Sequence, residues 1–401
     1  MSALRELSER MLAGQDLPPG LPVAPGPGER LPGDVLLAPS FANVAAVPTD
    51  DGLVLIDAGG MLLAARAHED LRQLTDDPVH TVVYTHGHVD HVMGATLLGE
   101  DVRVVAQERV SARFERYRRT RGWNAAINKR QFGLEELEWP ADFREPDVVF
   151  HDALDLEVGG VRVELRHARG ETDDHLYAWV PDRGVLFCAD YFTWSLPNAG
   201  NPQKAQRYPV EWAGALRAMA ALGAELAVPG HGPPLFGADV VRRVLDETAD
   251  ALESLIEQVL ERMNAGAALD EVLQAVRLPA ALRERPYLRS AYDDEEFVVR
   301  AIWRTFGGWW DGDPASLKPA GEQALAAELA ALAGGAARLG ERARELARDG
   351  DLRLATHLAR LAELTGETGV GEVYAQRAES EPSLMARGIY GAAARRMFER
   401  T

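Results

Sequence analysis

Cysteine is nearly absent from this chain of 401 residues. Cys188 is the only one, so no disulfide can form within the chain, and the sequence gives no sign of an oxidising compartment. Its thiol is either a reactive group or a small buried side chain. Long apolar runs are also missing, since no stretch approaches the length of a membrane span. The first ten residues are charged and amphipathic, without the apolar core of a signal peptide. We therefore expect a cytoplasmic protein without a membrane partner.

Basic residues are fewer than acidic residues in this chain. The chain has 43 Lys and Arg against 62 Asp and Glu, which gives a formal net charge of −19 at pH 7. Because nucleic-acid phosphates are bound by clustered Lys and Arg, we do not expect a nucleic-acid partner. A hydrophobic content of 46% and a charged content of 26% are typical of a globular protein. The length allows two domains, each with its own core.

The pattern of apolar residues divides the chain into three parts. Residues 1–33 are expected to be an extended lead-in, because 17–33 are rich in proline and glycine. In 34–236, strand-like runs alternate with helical patterns, and hairpins are predicted at 50–52, 159–160 and 181–184. In 237–401 helical spacing prevails, beginning with a long helix to about residue 264. The fold class predicted is α/β: two sheets between helices, followed by an all-α domain.

Four potential metal ligands follow a predicted strand directly: His86, His88, Asp90 and His91. His-x-His places two imidazoles on the same side of an extended segment, and a turn into a helix lets the other two face the same point. Imidazoles and carboxylates suit Zn²⁺, and this arrangement serves two ions better than one. Histidines that only cap a helix or fill a core would explain one of them, not three.

The spacing His86-x-His88-x-Asp90-His91 resembles the signature of the metallo-β-lactamase superfamily. The resemblance implies an αββα sandwich that binds one or two metal ions and takes further ligands, a His, an Asp and a His, from the ends of later strands. His175, Asp190 and His231 occupy such positions, although each alone could be a turn former or a helix cap. By this resemblance, two Zn²⁺ per chain are expected, one held by His86, His88 and His175, the other by Asp90, His91 and His231, with Asp190 bridging.

The same resemblance implies a hydrolytic mechanism. Two Zn²⁺ ions that share a solvent oxygen lower its pKa and provide a hydroxide nucleophile near neutral pH. Asp90 would bind its ion and orient the hydroxide, and Asp190 would hold both ions, so these two are the candidate catalytic residues. Asp57 and Thr85 are candidates for orienting the imidazoles, and Asp57 is not counted as a ligand.

Three segments are candidates for contacts to a small anionic or ester substrate. The polar loop 191–209 leaves directly from Asp190, and its Asn198, Lys204 and Arg207 would either stabilise an oxyanion or form hydrogen bonds within the loop. Residues 122–146 are aromatic and polar with little periodicity, which predicts a loop covering a pocket or an ordinary surface excursion. An arginine run from 109 to 121 either binds an anionic substrate or forms a solvated helix face.

The helical part carries a second resemblance, to the dimerisation domain of bacterial alkyl sulfatases. It rests on the stretches Phe297 to Arg304, Gly307 to Ala315, Leu317 to Pro319, Gly350 to His357 and Pro382 to Gly391. The resemblance implies a homodimer formed through residues 237–401, with Trp303, Trp309 and Trp310 as aromatic anchors rather than a local core. The metal site of this chain differs from that of alkyl sulfatases, which tend to carry glutamates where this chain has His175 and Asp190.

Together these features favour a binuclear zinc hydrolase acting on a sulfate ester. The same chemistry would also serve a hydrolase of carboxylic esters, lactones or thioesters. A redox enzyme with two irons ranks lower, because its superfamily relatives usually place an acid where His88 stands. A helical dimer module without catalytic activity is disfavoured by the full ligand set.

Overall fold

Two β-sheets lie at the centre of the first part of the chain in the computed structural model, which describes residues 2–23 and 26–400. The first sheet follows chain order and consists of β1 (Glu29–Leu31), β2 (Val35–Ala38), β3 (Val44–Thr49), β4 (Gly52–Ile56), β5 (Val79–Val83), β6 (Arg103–Gln107) and β7 (Val148–Phe150). The second has the order β13-β12-β11-β10-β9-β8 and consists of β8 (Ala153–Val158), β9 (Val161–His167), β10 (Leu176–Val180), β11 (Val185–Ala189), β12 (Leu226–Pro229) and β13 (Leu235–Phe236).

The three predicted hairpins are confirmed and set the register of both sheets. Thr49 pairs with Gly52, Val158 with Val161, and Val180 with Val185. Gly52 has φ +116°, and a Cβ there would lie 2.5 Å from the carbonyl oxygen of Pro78, so the turn excludes a side chain.

Helices cover both outer faces of the sheet pair, and further helices pack on one another in a core of their own. They are α1 (Ala3–Leu12), α2 (Ala64–Arg72), α3 (Val89–Val92), α4 (Val110–Arg119), α5 (Arg121–Phe132), α6 (Pro209–Ala220), α7 (Ala238–Asn264), α8 (Leu269–Ala275), α9 (Ala280–Arg283), α10 (Glu295–Gly307), α11 (Pro314–Leu317), α12 (Glu322–Ala333), α13 (Ala336–Arg348), α14 (Leu352–Leu364), α15 (Gly371–Ser380) and α16 (Leu384–Phe398). None of the helices in the described ranges combines the length and the hydropathy that crossing a lipid bilayer requires.

Three apolar cores hold the layers together. Between the sheets, residues such as Val54 and Val83 pack against Leu165 and Phe187. A second core joins the outer face of the first sheet to its helices, and a third joins the second sheet to α6 and α7. Parallel strands buried on both faces explain why β4, β5 and β6 contain apolar runs rather than alternating patterns. The predicted αββα sandwich followed by helices is confirmed.

Two local predictions differ from the structure. The lead-in is not extended throughout, because residues 3–12 form α1, whose Leu4 and Met11 are buried. The first half of 122–146 is likewise helical rather than a loop, as α5. The buried face of α5 includes the polar side chains of Asn124 and Gln131, so its apolar spacing does not show the helical period.

The helical part does not separate from the sheets at residue 237. Helix α7 contributes Val244, Leu252 and Leu255 to the same core as Trp212, so the domain boundary predicted there stays a prediction. Helices α12 to α16 have a core of their own. Helix α16 also contacts α5, where a Cβ on Gly388 would lie 2.8 Å from the Cα of Gln131.

Candidate metal centre

The predicted motif lies directly after the carboxyl end of β5 in the first sheet. The chain passes from Val83 through the buried Thr85 to His86, and His88 is the extended N-cap residue of α3. The facing nitrogens His86 Nε2 and His88 Nδ1 are 2.9 Å apart. The first turn of α3 then brings Asp90 and His91 to the same end of the sheet pair. The sequence prediction that strand and helix would present these four groups to one region agrees with this arrangement.

Seven side chains converge in two clusters. The first cluster is formed by His86, His88, Glu171 and Asp190, and the second by Asp90, His91 and His231, with ligand atoms within 4.8 Å of one another in each. In the first, Glu171 Oε2 lies 3.1 Å from His88 Nδ1 and 3.5 Å from His86 Nε2.

Asp190 connects the two clusters. Its Oδ2 lies 3.9 Å from His86 Nε2 in the first cluster, and 3.5 Å and 3.3 Å from the Nε2 atoms of His91 and His231 in the second. Asp190 follows β11 directly, and His231 follows β12, the parallel neighbour of β11. Neighbouring strand ends therefore deliver the carboxylate and the imidazole to one point.

The polar atoms at this point fit divalent cations. His91 Nε2, Glu171 Oε2 and Asp190 Oδ1 are buried and have no hydrogen-bond partner among the described residues. Buried polar atoms are normally paired, so unpaired ones among the members of the two clusters indicate a bound group. The donor set, imidazole nitrogens with carboxylate oxygens, suits Zn²⁺ and related ions.

The protonation states of Glu171, Asp190 and His88 also favour cation binding. Burial alone would raise the pKa of Glu171, but Arg207, together with His88 and His86, outweighs burial and holds this pKa well below its usual range. Burial likewise opposes the charge on Asp190, while His231 and His91 keep its pKa low. Burial lowers the pKa of His88 to about 4, so its imidazole is neutral and able to donate a lone pair at neutral pH.

The converging set differs from the predicted set at one position. His175 belongs to neither cluster, whereas Glu171, four residues earlier in the same turn, belongs to the first. The ring of His175 is stacked on Tyr191 with centroids 3.9 Å apart and lies 4.5 Å from the ring of His86. Both of its ring nitrogens are buried and have no hydrogen-bond partner among the residues that the structure describes. Sequence reasoning missed Glu171 because the resemblance directed attention to the histidine of this turn.

A layer of supporting side chains fixes the imidazoles. His91 Nδ1 donates to Asp57 Oδ2 at 2.7 Å, which leaves Nε2 toward the clusters. The same carboxylate accepts the backbone N–H and the hydroxyl of Thr85, at 2.7 Å and 2.8 Å. Asp57 has φ +61°, a backbone conformation that aspartate and asparagine tolerate better than most residues. His231 donates through Nδ1 to the carbonyl oxygen of Phe41.

The three predicted substrate contacts all line the cavity above the clusters. Two of them also bind Glu171: Asn198 donates to its Oε1, and Arg207 donates to its backbone carbonyl, with Nη1 3.3 Å from Oε1. Lys204 is different, because its ammonium lies 5.6 Å from the ring centroid of Trp139 and forms no ion pair within the described ranges. Burial and the neighbouring Arg207 lower the pKa of Lys204 to about 8.

The cavity has a polar floor and an apolar wall. The floor includes members of both clusters together with Lys204 and Arg207. The wall, hereafter the apolar lobe, consists of Leu21, Phe41, Met61, Val89, Phe132, Leu134, Leu137 and Trp139. The segment 122–146, predicted to cover a pocket, contributes four of the wall residues. Tyr292, from the helical part, also lines the cavity and accepts a hydrogen bond from Gln131 Nε2 at 2.8 Å. No motif in the sequence indicated Tyr292.

The lone cysteine is not part of this cavity. Cys188 is fully buried in the core of the second sheet, and burial raises the pKa of its thiol. Of the two roles considered for it, the structure shows the small buried side chain.

Two family profiles and several relatives match this chain. Residues 37–231 match the metallo-beta-lactamase superfamily, and residues 268–399 match the alkyl sulfatase dimerisation domain. A linear primary-alkylsulfatase from Pseudomonas sp. is 31% identical in an alignment of 317 residues, and the match covers 72% of this chain and 60% of that protein. An (R)-specific secondary-alkylsulfatase from Pseudomonas sp. is 28% identical in an alignment of 312 residues, and the match covers 69% of this chain and 47% of that protein. This chain thus spans less than two thirds of the length of these relatives.

A solved structure has the same fold. The stereoselective inverting sec-alkylsulfatase Pisa1 from Pseudomonas sp. superposes with a TM-score of 0.83 at 24% identity, over 90% of this chain and 64% of that one. This superposition shows the shared fold. The two profile matches show a metallo-β-lactamase superfamily region at 37–231 followed by an alkyl sulfatase dimerisation region at 268–399, and the family predicted from the sequence is confirmed.

Proposed function

We propose that this protein is a metal-dependent hydrolase of alkyl sulfate esters. The observation that carries the proposal is the pair of ligand clusters joined by Asp190 at the floor of a cavity with an apolar wall. The relatives named as alkylsulfatases favour a sulfate ester over the carboxylic esters, lactones and thioesters that similar chemistry would serve.

The proposed ligand sets follow the two clusters. One ion would be held by His86, His88 and Glu171, the other by Asp90, His91 and His231, and Asp190 would contact both. Two divalent cations at such a site activate water as a nucleophile and neutralise developing negative charge. Asp90 is 25% exposed and lines the cavity, so one of its carboxylate oxygens would accept a proton from the attacking water and orient it. Zinc is the proposed metal because the donor set mixes imidazole with carboxylate.

The cavity fits an amphipathic substrate. The cations of Lys204 and Arg207 lie beside the clusters, where they would attract the sulfate group and orient its bridging oxygen toward the site of attack. The apolar lobe would bind the alkyl chain, since each buried methylene contributes about 0.8 kcal/mol. Substrates would therefore be held by both ends, with the ester bond over Asp190.

We also propose a homodimer, on the basis of the dimerisation profile. Trp303 is buried and its Nε1–H donates to the Trp310 carbonyl, so it is a local core residue. Trp309 is 67% exposed and Trp310 40% exposed, which keeps both as candidate anchors. A cytoplasmic location stays a prediction, because no feature of the fold tests it.

The proposal is tested with purified full-length protein and decyl sulfate. We expect release of inorganic sulfate, measured by ion chromatography, that stops after chelation and returns with zinc. Asp190→Ala should abolish release, and the matched control Asp182→Ala, in the exposed turn of the β10–β11 hairpin, should not. Cleavage of decyl acetate without cleavage of decyl sulfate would reject the sulfatase assignment.

A further inference from the structure

A second cavity lies behind the candidate metal centre. It has a volume of about 440 Å³ and is bounded by α4, α5 and the loop 202–208. Five residues line both cavities and form the wall between them: His88, Tyr117, Glu171, Lys204 and Arg207. The second cavity thus adjoins the polar floor of the first.

The charges that line this cavity are mostly positive. Four cations, Arg113, Arg116, Lys204 and Arg207, face two carboxylates, Glu171 and Asp173. The excess contrasts with the formal charge of −19 of the whole chain. We refer to this space as the cationic cavity.

Two of its cations are not neutralised. Arg113 is bound to Asp173 and Asp174, and Arg207 to Glu171. Arg116 and Lys204, in contrast, form no ion pair within the described part of the chain, and the Arg116 guanidinium lies 5.9 Å from the ring centroid of Tyr117. On the same helix, Arg118 and Arg119 do pair with surface carboxylates. The unpaired guanidinium on the cavity side therefore distinguishes Arg116 from the solvated face of α4.

We propose that the cationic cavity is a second oxyanion site, which binds inorganic sulfate after it leaves the metal centre. Guanidinium groups match the oxygen geometry of tetrahedral anions, and a partly buried setting strengthens that attraction. The alcohol product would still occupy the apolar lobe, so departure of sulfate past Lys204 gives the two products separate routes. The site itself rests on the charges, whereas its role as a product route rests on the proposed function.

The site is tested by equilibrium dialysis of full-length protein against radiolabelled sulfate. We expect saturable binding that Arg116→Gln weakens by about tenfold, as the loss of one charge-assisted contact predicts. Arg119→Gln, three residues further along the same helix and 77% exposed, is the matched control and should bind as the wild type does. Arg300→Gln tests the competing cavity on the other side of the 200–207 loop. Unchanged binding by Arg116→Gln, or a loss with Arg300→Gln instead, would overturn the proposal.

A second measurement separates the site from the metal centre. Decanesulfonate carries the same kind of tail and head but no ester bond, so it should fill the first cavity without being cleaved. We expect the protein saturated with decanesulfonate to keep binding sulfate, and complete displacement would show that there is only one anion site. In a decyl sulfate assay, Arg116→Gln should weaken inhibition by inorganic sulfate without a change in KM. A protein that binds sulfate through Arg116 but does not cleave decyl sulfate would reject the proposed function and keep the site.

Discussion

At the scale of single residues, the proposed ligand set of the first ion depends on the choice between Glu171 and His175. Glu171 Oε2 faces both imidazoles of the first cluster, whereas the His175 ring is stacked on Tyr191. We expect Glu171→Ala to lose about one metal equivalent per chain, because it removes one of the three side chains proposed to hold the first ion. His175→Phe should keep both ions, since phenylalanine retains the ring contact. Metal content by mass spectrometry of dialysed protein measures the difference.

The reverse result would restore the ligand set expected from the sequence. If His175→Phe loses metal while Glu171→Ala keeps it, the unpaired nitrogens of His175 are the ligand atoms. Thermal unfolding of both variants serves as the control, because each replaces a fully buried side chain.

Asp57 should determine metal affinity without touching the ions. Asp57→Asn keeps the size and the positive φ but turns an N–H donor toward His91 Nδ1, which disturbs the imidazole tautomer. We expect metal affinity to fall by about 10- to 100-fold in a competition assay with a chromophoric chelator. Asp34→Asn is the matched control, since Asp34 also has a positive φ of 54° but is exposed in a turn. Equal affinities of the two variants would contradict the role of Asp57.

The candidate site was predictable where its residues are close in sequence. His86, His88, Asp90 and His91 belong to one strand–helix junction, so local geometry alone brings them together. Asp190 and His231 follow strand ends, where a sheet delivers side chains to a common edge. Glu171 was missed because its turn contains three acids and a histidine, and only the packing of His175 on Tyr191 distinguishes them.

At the scale of elements, the loop after β11 is fixed by close packing against α10. A Cβ on Gly200 would lie 2.1 Å from the carbonyl carbon of Phe297, so Gly200→Ala forces the loop and the helix apart. We expect a loss of about 1–3 kcal/mol in the free energy of unfolding, measured in urea. Gly214→Ala in α6 is the control, because no other described element comes within 4 Å of its Cβ position, and alanine favours a helix by up to about 1 kcal/mol. Similar effects of both changes would show that the contact does not constrain the loop.

The same junction contains a buried acid. Asp293 accepts the N–H of Gly200 at 2.6 Å, and burial raises its pKa to about 7 from the ordinary 3.8. Between these values the folded protein keeps a proton that the unfolded chain has lost, so the contribution of Asp293 to stability falls as the pH rises.

Asp293→Asn should therefore reduce the loss of stability between pH 4 and pH 7, the window between those two pKa values. The measurement is the free energy of unfolding of wild type and variant across this range, at about 1.4 kcal/mol per unit of pKa difference. Asp34→Asn, which replaces an exposed carboxyl, should leave the pH profile unchanged. Parallel profiles of wild type and Asp293→Asn would show that the carboxyl is ionised throughout.

Elements with a regular apolar period were predicted well. The hairpins have glycine or aspartate at their turns, and α7 repeats its apolar positions over its whole length. Helix α5 was not predicted, because it buries Asn124 and Gln131 against neighbouring elements rather than an apolar stripe. The structure of α5 depends on contacts with α16, which lies more than 250 residues later in the chain. The local sequence of α5 does not indicate these contacts.

At the scale of the whole molecule, the helical part completes the cavity. Tyr292 lines it, Asn201 approaches Met385 of α16, and Ser383 donates to the Tyr292 carbonyl at 2.8 Å. The two parts of the chain therefore share one site, although the sequence indicated a separate dimerisation domain. A dimer interface formed by the helical part would therefore affect the positions of residues that line the cavity.

The proposed dimer should form through the exposed face of α12. Leu325, Leu329 and Leu332 follow the spacing i, i+4, i+7 and are 53%, 37% and 83% exposed, while Ala326 and Ala330 face the core. An apolar stripe of this kind costs free energy in water unless a partner covers it. We expect Leu332→Glu to convert a dimer into a monomer in sedimentation velocity, because a buried unpaired charge is costly at an interface. Leu62→Glu, at an 89% exposed leucine in the first part of the chain, should leave the dimer intact. If Leu62→Glu dissociates the dimer and Leu332→Glu does not, the interface lies on the sheet domain. The added charge disrupts a dimer only at a leucine that the partner subunit covers.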